Sequence, residues 1–143
     1  MTILAAIDLT SSSDDVIRAI PQVANQGETV IMLHVADPEP DFVGFDPGPD
    51  VVREQIEKEF SQQQEQLENF AETVSLNAFK VTATQKRGAS AAVIMETADQ
   101  HDVRMIIMGN RRHGTVYDIL VGSVAEEVIR AAAQPVLMVP KND

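Results

Sequence analysis

Apolar positions fall into short blocks separated by longer, periodically apolar stretches. The blocks are Ile3–Ile7, Val30–Val35, Phe79–Thr84, Val103–Met108 and Val136–Val139. Several are apolar at consecutive rather than alternate positions, the pattern of a strand buried on both faces. Between them, apolar residues recur at helical intervals. Ser12 or Ser13 can cap a first helix that runs past Asp14 and Asp15 through Ile17 and Ile20, with Pro21 inside or ending it. A second runs from about Asp50 into the low seventies, with Val52, Ile56, Phe60, Leu67, Phe70 and Val74 on one side and Glu and Gln on the other. A third spans Ser90–Gln100 and a fourth Ser123–Ala133. This alternation predicts an α/β fold, a five-stranded parallel open sheet whose right-handed crossovers put helices on both faces. The 143 residues read as one domain, 1–143, without internal repeats.

One segment breaks the pattern. Residues 37–50 hold Pro38, Pro40, Pro47 and Pro49 among Asp37, Glu39, Asp41, Asp46 and Asp50, which excludes helix and central strand. It reads as a surface loop, or as a lid or partner loop anchored by Phe42 and Phe45.

Charge and composition narrow the function. Lys and Arg total 11 against 22 Asp and Glu, a formal net charge of −11. Such a surface repels nucleic-acid phosphates and anionic lipid, so neither nucleic acid nor a membrane is expected as a partner. With no cysteine there is no disulfide, thiolate metal site or cysteine nucleophile. No apolar run reaches the roughly 18 residues of a membrane span, and no signal segment precedes Thr2, so the chain reads as cytoplasmic. Aromatics are 4%, too few for the ring-stacking walls of a flavin site. The hydroxyl-rich run from Thr10 to Ser13, which could otherwise suggest a flavin phosphate loop, leads directly into Asp14 and Asp15.

Against this acidic background one loop is basic. The apolar run ending at Met108 opens into Gly109, Asn110, Arg111, Arg112, His113 and Gly114. Gly122, Ser123 and Val124 then begin the fourth helix. A helix start offers unpaired N–H groups and the positive end of a dipole, and glycine admits close approach, so the stretch suits an anionic ligand. Ser123 and Glu126 also match a capping box, which needs no ligand, and Glu126 and Glu127 oppose an anion unless they point away. In an open parallel sheet ligands bind beyond the strand carboxyl ends. Ala6, Ile7 and Asp8, then Val35, Gly88 and Gly109, stand there. Asp8 can accept from a base amine or ribose hydroxyl, or be an ordinary turn residue. His34 and His101 are scattered without metal spacing, no Ser-His-Asp set is readable, and the methionines read as core filler.

Ala-Ile-Asp-Leu-Thr at 6–10, Leu-His-Val-Ala-Asp at 33–37, Ile-Ile-Met-Gly-Asn at 106–110, Gly-Ser-Val-Ala-Glu-Glu-Val-Ile at 122–129 and Pro-Val-Leu-Met-Val-Pro at 135–140 resemble the universal stress protein family along nearly the whole chain. The resemblance implies strand order 3-2-1-4-5 and binding of ATP as a regulatory ligand, with Mg²⁺. Asp8 and Val35 would sit at the adenosine end, and Gly109–Gly114 with Gly122–Val124 would hold ribose and phosphates. It also implies a homodimer through the last strand, whose apolar edge needs a cover. The ATP-binding branch carries a glycine three residues after Gly109, and here that slot holds Arg112. Arg112 either blocks backbone approach or turns a cation on phosphate. A dimeric interaction module that has lost the nucleotide is therefore the alternative. No residue stands out as a general base, so any hydrolysis is expected to be slow.

Overall fold

The computed structural model describes residues 1–9, 13–36, 49–75, 79–110 and 123–140. Strands Thr2–Ala6 (β1), Thr29–Ala36 (β2), Lys80–Arg87 (β3), Met105–Asn110 (β4) and Val136–Pro140 (β5) alternate with helices Ser13–Val23 (α1), Pro49–Ser75 (α2), Ser90–Gln100 (α3) and Ser123–Ala131 (α4). The strands form a five-stranded sheet in the order β3-β2-β1-β4-β5, with every neighbouring pair parallel.

The consecutive apolar runs have the cause their pattern implies. On one face, Ile3, Ala5 and Ile7 join Val30, Met32 and Ile107 under Val16 and Ile20 of α1 and Leu67, Ala71 and Val74 of α2. On the other, Leu4, Ile31, Leu33, Ile106 and Met108 lie under Ala91, Ile94 and Ala98 of α3 and Ala125 and Val128 of α4. Both sides of β1 are therefore removed from water, and the area term of the hydrophobic effect acts on every residue rather than on alternate ones.

Element boundaries depart from expectation in several places. β1 ends at Ala6 rather than Ile7, and α2 begins at Pro49, so the last two residues of the 37–50 segment are helical, since proline fits a first helical position. β4 begins two residues later than its apolar run, because Val103 is buried ahead of the strand while Arg104 is drawn into an ion pair. Gly109 and Asn110 consequently belong to the sheet, pairing with Val139 and Pro140. β3 continues beyond Thr84 through Gln85, Lys86 and Arg87, which pair with His34, Val35 and Ala36. Polarity does not end it, since an edge strand keeps part of each side chain wet. Helix α4 stops at Ala131. Pro21 lies inside α1, near its end, where the missing N–H removes a single ladder bond.

The two ends of the sheet differ. At the amino end Arg104 clasps Glu28, with Nε to Oε2 at 2.6 Å and Nη2 to Oε1 at 2.6 Å. The same guanidinium donates to the Val23 carbonyl at 2.8 Å, and the Asn25 amide donates to Glu28 Oε1 at 2.9 Å. The carboxyl end is open. There the 27-residue α2 outruns its support. At about 1.5 Å per residue it is roughly 40 Å long, against roughly 26 Å for β3. The helix runs antiparallel to β3: Gln85 donates to the Phe60 carbonyl at 2.8 Å, and Arg87 stacks on the Phe60 ring at 4.3 Å. Its buried residues, Leu67, Ala71 and Val74, all lie in the second half. The first turns overhang the strand ends with Val51 and Val52 exposed. No helix among the described residues is long and apolar enough to cross a membrane.

Candidate functional site

Parallel strands bring all their carboxyl ends to one side. β1 lies centrally, with the chain passing to β2 and β3 on one side and to β4 and β5 on the other. The first and last crossovers diverge at β1 and β4, which leaves a crevice at their carboxyl ends. A cleft of about 510 Å³ opens there. Its size lies within the range of small-molecule sites.

The floor is set by β1. After Ala6 the chain stays bonded to β2 for one more residue, with the Ile7 amide donating to the Leu33 carbonyl at 2.8 Å. His34 Nδ1 lies 2.8 Å from the Ile7 carbonyl oxygen, within the buried interior. A carbonyl only accepts, so this ring nitrogen carries the proton. Asp8 follows at once, and the hydroxyl of Ser13, the first residue of α1, donates to Asp8 Oδ1 at 3.1 Å. Leu9 then adopts φ 61°, the left-handed region that a branched apolar residue seldom enters. The Ser13 hydroxyl thus serves Asp8; the other candidate cap, Ser12, lies outside the described residues.

The opposite wall is helical. Ser123, Val124 and Ala125 put the first turn of α4 on the cleft, and Ser90 brings the first turn of α3 to the same rim. The residue preceding α3, Ala89, supplies no side-chain cap. Both helix starts therefore turn positive dipole ends toward one space. Glu126 Oε1 accepts from Arg130 Nη2 at 2.7 Å, four residues along the exposed side. This ion pair offsets the Glu126 charge at the helix start.

Eight of the residues singled out in the sequence line this cleft: Ala6, Ile7, Asp8, Val35, Met108, Gly109, Ser123 and Val124. Asn110 closes β4 opposite Pro140. Arg111, Arg112, His113, Gly114 and Gly122 lie outside the described residues, as do Thr10–Ser12 and 37–48. Sequence reasoning missed His34, Gln63 and Ser90, and gave Ser13 a different task. A polar residue inside the apolar run Val30–Val35 was the available signal for His34. Gln63 had none, since it is one of several glutamines along α2. Among the described residues no group of three or more His, Cys, Asp or Glu is placed to hold a metal ion.

A second groove, of about 430 Å³, lies between α1 and β5, lined by Asp15, Arg18, Ala19 and Gln22 on one side and Leu137 to Pro140 on the other.

Comparison with known proteins agrees with this architecture. The family model described as "Universal stress protein family" matches residues 1–140. A universal stress protein of Thermus aquaticus is 26% identical over 148 residues, covering 96% of this chain and 97% of that protein. The solved structure of the Methanocaldococcus jannaschii protein MJ0577, itself a universal stress protein, superposes with a TM-score of 0.81 at 25% identity, covering 99% of this chain and 96% of that one. A family protein of Arabidopsis thaliana, solved with AMP bound, has the same fold at a TM-score of 0.70, 14% identity and coverage of 99% and 92%. Another universal stress protein, solved in complex with cAMP, matches at a TM-score of 0.64 and 20% identity, covering 99% of this chain and 98% of that one. With the five-stranded sheet in the order β3-β2-β1-β4-β5 and a family match over nearly its full length, the chain belongs to the universal stress protein family.

Proposed function

We propose that the cleft binds an adenine nucleotide, ATP in preference to its lower phosphates, as a regulatory ligand. One observation carries this reading: Asp8 and the first turn of α4 line the same cleft of about 510 Å³ at the point where the strand order diverges. A carboxylate suits the hydroxyls and amine of a nucleoside, and a helix start suits phosphate. AMP- and cAMP-bound relatives support an adenine ligand. Mg²⁺ would arrive on the phosphates, held by their oxygens and by water. Asp8, the acidic residue of the described lining, serves the nucleoside end.

Isothermal calorimetry with ATP, ADP and AMP, each with Mg²⁺ and with EDTA, tests the proposal. Affinity should rise with phosphate charge, ATP exceeding AMP by about tenfold or more. Equal affinities for the three would remove the phosphate from the argument. No heat with any of them would favour the second reading, a dimeric interaction module, which rests on Arg112 standing where the ATP-binding branch carries glycine. Release of phosphate over hours, followed in the same samples, measures any turnover.

A further inference from the structure

We infer that His34 and Ser13 are positioning residues that hold Asp8 in a single orientation at the cleft, His34 by binding the Ile7 carbonyl and Ser13 by binding the carboxylate. The inference deepens the nucleotide reading and rests on it. The bonds converge on one short stretch of chain. The Ile7 amide is committed to Leu33 at 2.8 Å and its carbonyl to His34 Nδ1 at 2.8 Å. Both peptide groups flanking Ile7 are thus tied to β2, so the backbone entering Asp8 has little rotational freedom. The side chain is then held from α1 by the Ser13 hydroxyl at 3.1 Å.

Burial makes these contacts stiff. His34 is 8% exposed and Ser13 1% exposed, so neither bond competes freely with water. The left-handed φ of 61° at Leu9, immediately after Asp8, is an arrangement that persists only when its surroundings over-determine it. Leu9 packs its side chain against the core on the α1 and α2 face. Constraint therefore reaches Asp8 from both directions along the chain and from its own carboxylate. A ligand that uses Asp8 meets an acceptor already in place, with less ordering left to be done on binding.

The chemistry of the pair sets distinct requirements. At position 34 the fold needs a donor aimed at a carbonyl, which the Nδ1–H tautomer supplies. Asparagine places an amide N–H at the equivalent distance along the side chain, whereas phenylalanine keeps the shape without the donor. At position 13 threonine retains the hydroxyl and alanine removes it.

The test is a double-mutant cycle on ATP affinity, with His34→Phe and Ser13→Ala each made in the wild type and in Asp8→Ala. Loss of orientation at Asp8 should weaken ATP by about tenfold in the first background and by less than about twofold in the second. His34→Asn and Ser13→Thr should stay within about threefold of wild type. Losses of equal size in both backgrounds would mean general damage to the fold and would overturn the inference. So would failure of both conservative variants to restore binding. A further readout needs no variant: long-range ¹H–¹⁵N spectra of the wild-type imidazole should find the proton on Nδ1, the tautomer less favoured in free histidine. A neutral ring protonated on Nε2 would overturn the inference. ATP binding with additive losses rejects positioning alone, whereas a wild-type protein that binds no nucleotide rejects this inference and the nucleotide reading together.

Discussion

Glu28 and Arg104 form a charged pair across the amino end of the sheet. Glu28 is buried, and its two carboxylate oxygens accept from two guanidinium nitrogens and a backbone amide. The hydrogen bond from Arg104 holds the Glu28 carboxyl below its ordinary range, against the upward push of burial. A carboxyl whose value is lowered in the folded state contributes stability that is present above the unfolded value and is lost as pH falls through the folded one. In urea unfolding the pair's contribution should therefore be present and independent of pH near neutrality, and be lost as pH falls from the ordinary carboxylate range through the lowered folded value. Glu28→Gln should lack that acid component. Arg104→Ala should cost about 3 kcal/mol, because it strands a buried charge; a loss below about 1 kcal/mol in urea titrations would show that water re-solvates Glu28. Gly88 makes a second residue-scale case. Its φ is 143°, and a Cβ there would stand 2.9 Å from Val93 Cγ2. Gly88→Ala should lower stability by about 2 kcal/mol in thermal melts through strain and collision together. Neither feature was readable from the chain. Glu28 and Arg104 are 76 positions apart, and no spacing rule joins them. His34 looked like an isolated histidine because its partner is a backbone carbonyl, which leaves no mark on side-chain patterns.

Elements were far more legible than residues, for a reason visible in β1 and α2. Burial on both faces makes β1 apolar at consecutive positions from Ile3 to Ala6, and one-sided burial stamps a period near 3.6 on α2. Boundaries were less so, since hydrogen bonding and not hydropathy decides them. β3 runs on through Gln85, Lys86 and Arg87 because β2 offers partners. The cleft shared this split. Its strand-end residues followed from the parallel topology, while Gln63 enters only because α2 crosses above the sheet end. The overhang of α2 predicts an exchange gradient. Amides of residues 51–59, with no buried side chain beneath them, should exchange well before those of 64–75 in hydrogen-exchange mass spectrometry. Uniform protection along the helix would mean that something else covers its first turns.

At the scale of the whole molecule, β5 is an edge strand with residues 136–139 partly exposed. Leu137 and Val139 pack against the α1 side, and Met138 and Val136 against the α4 side, so the strand is anchored while its outer backbone has no strand partner among the described residues. An apolar edge of this kind invites a second copy, and light scattering at micromolar concentration should give a dimer. Val139→Glu should shift it toward monomer, with nucleotide affinity kept, because Val139 lines the α1–β5 groove and not the cleft; a wild-type monomer would refute this. The stapled amino end and the open carboxyl end have a further consequence. They are separated by the length of the strands, about 17–26 Å, beyond the range at which substitutions usually couple. The staple and the cleft are thus housed at opposite poles. A descendant of this chain can reshape the cleft without melting, or adapt to heat without disturbing the cleft.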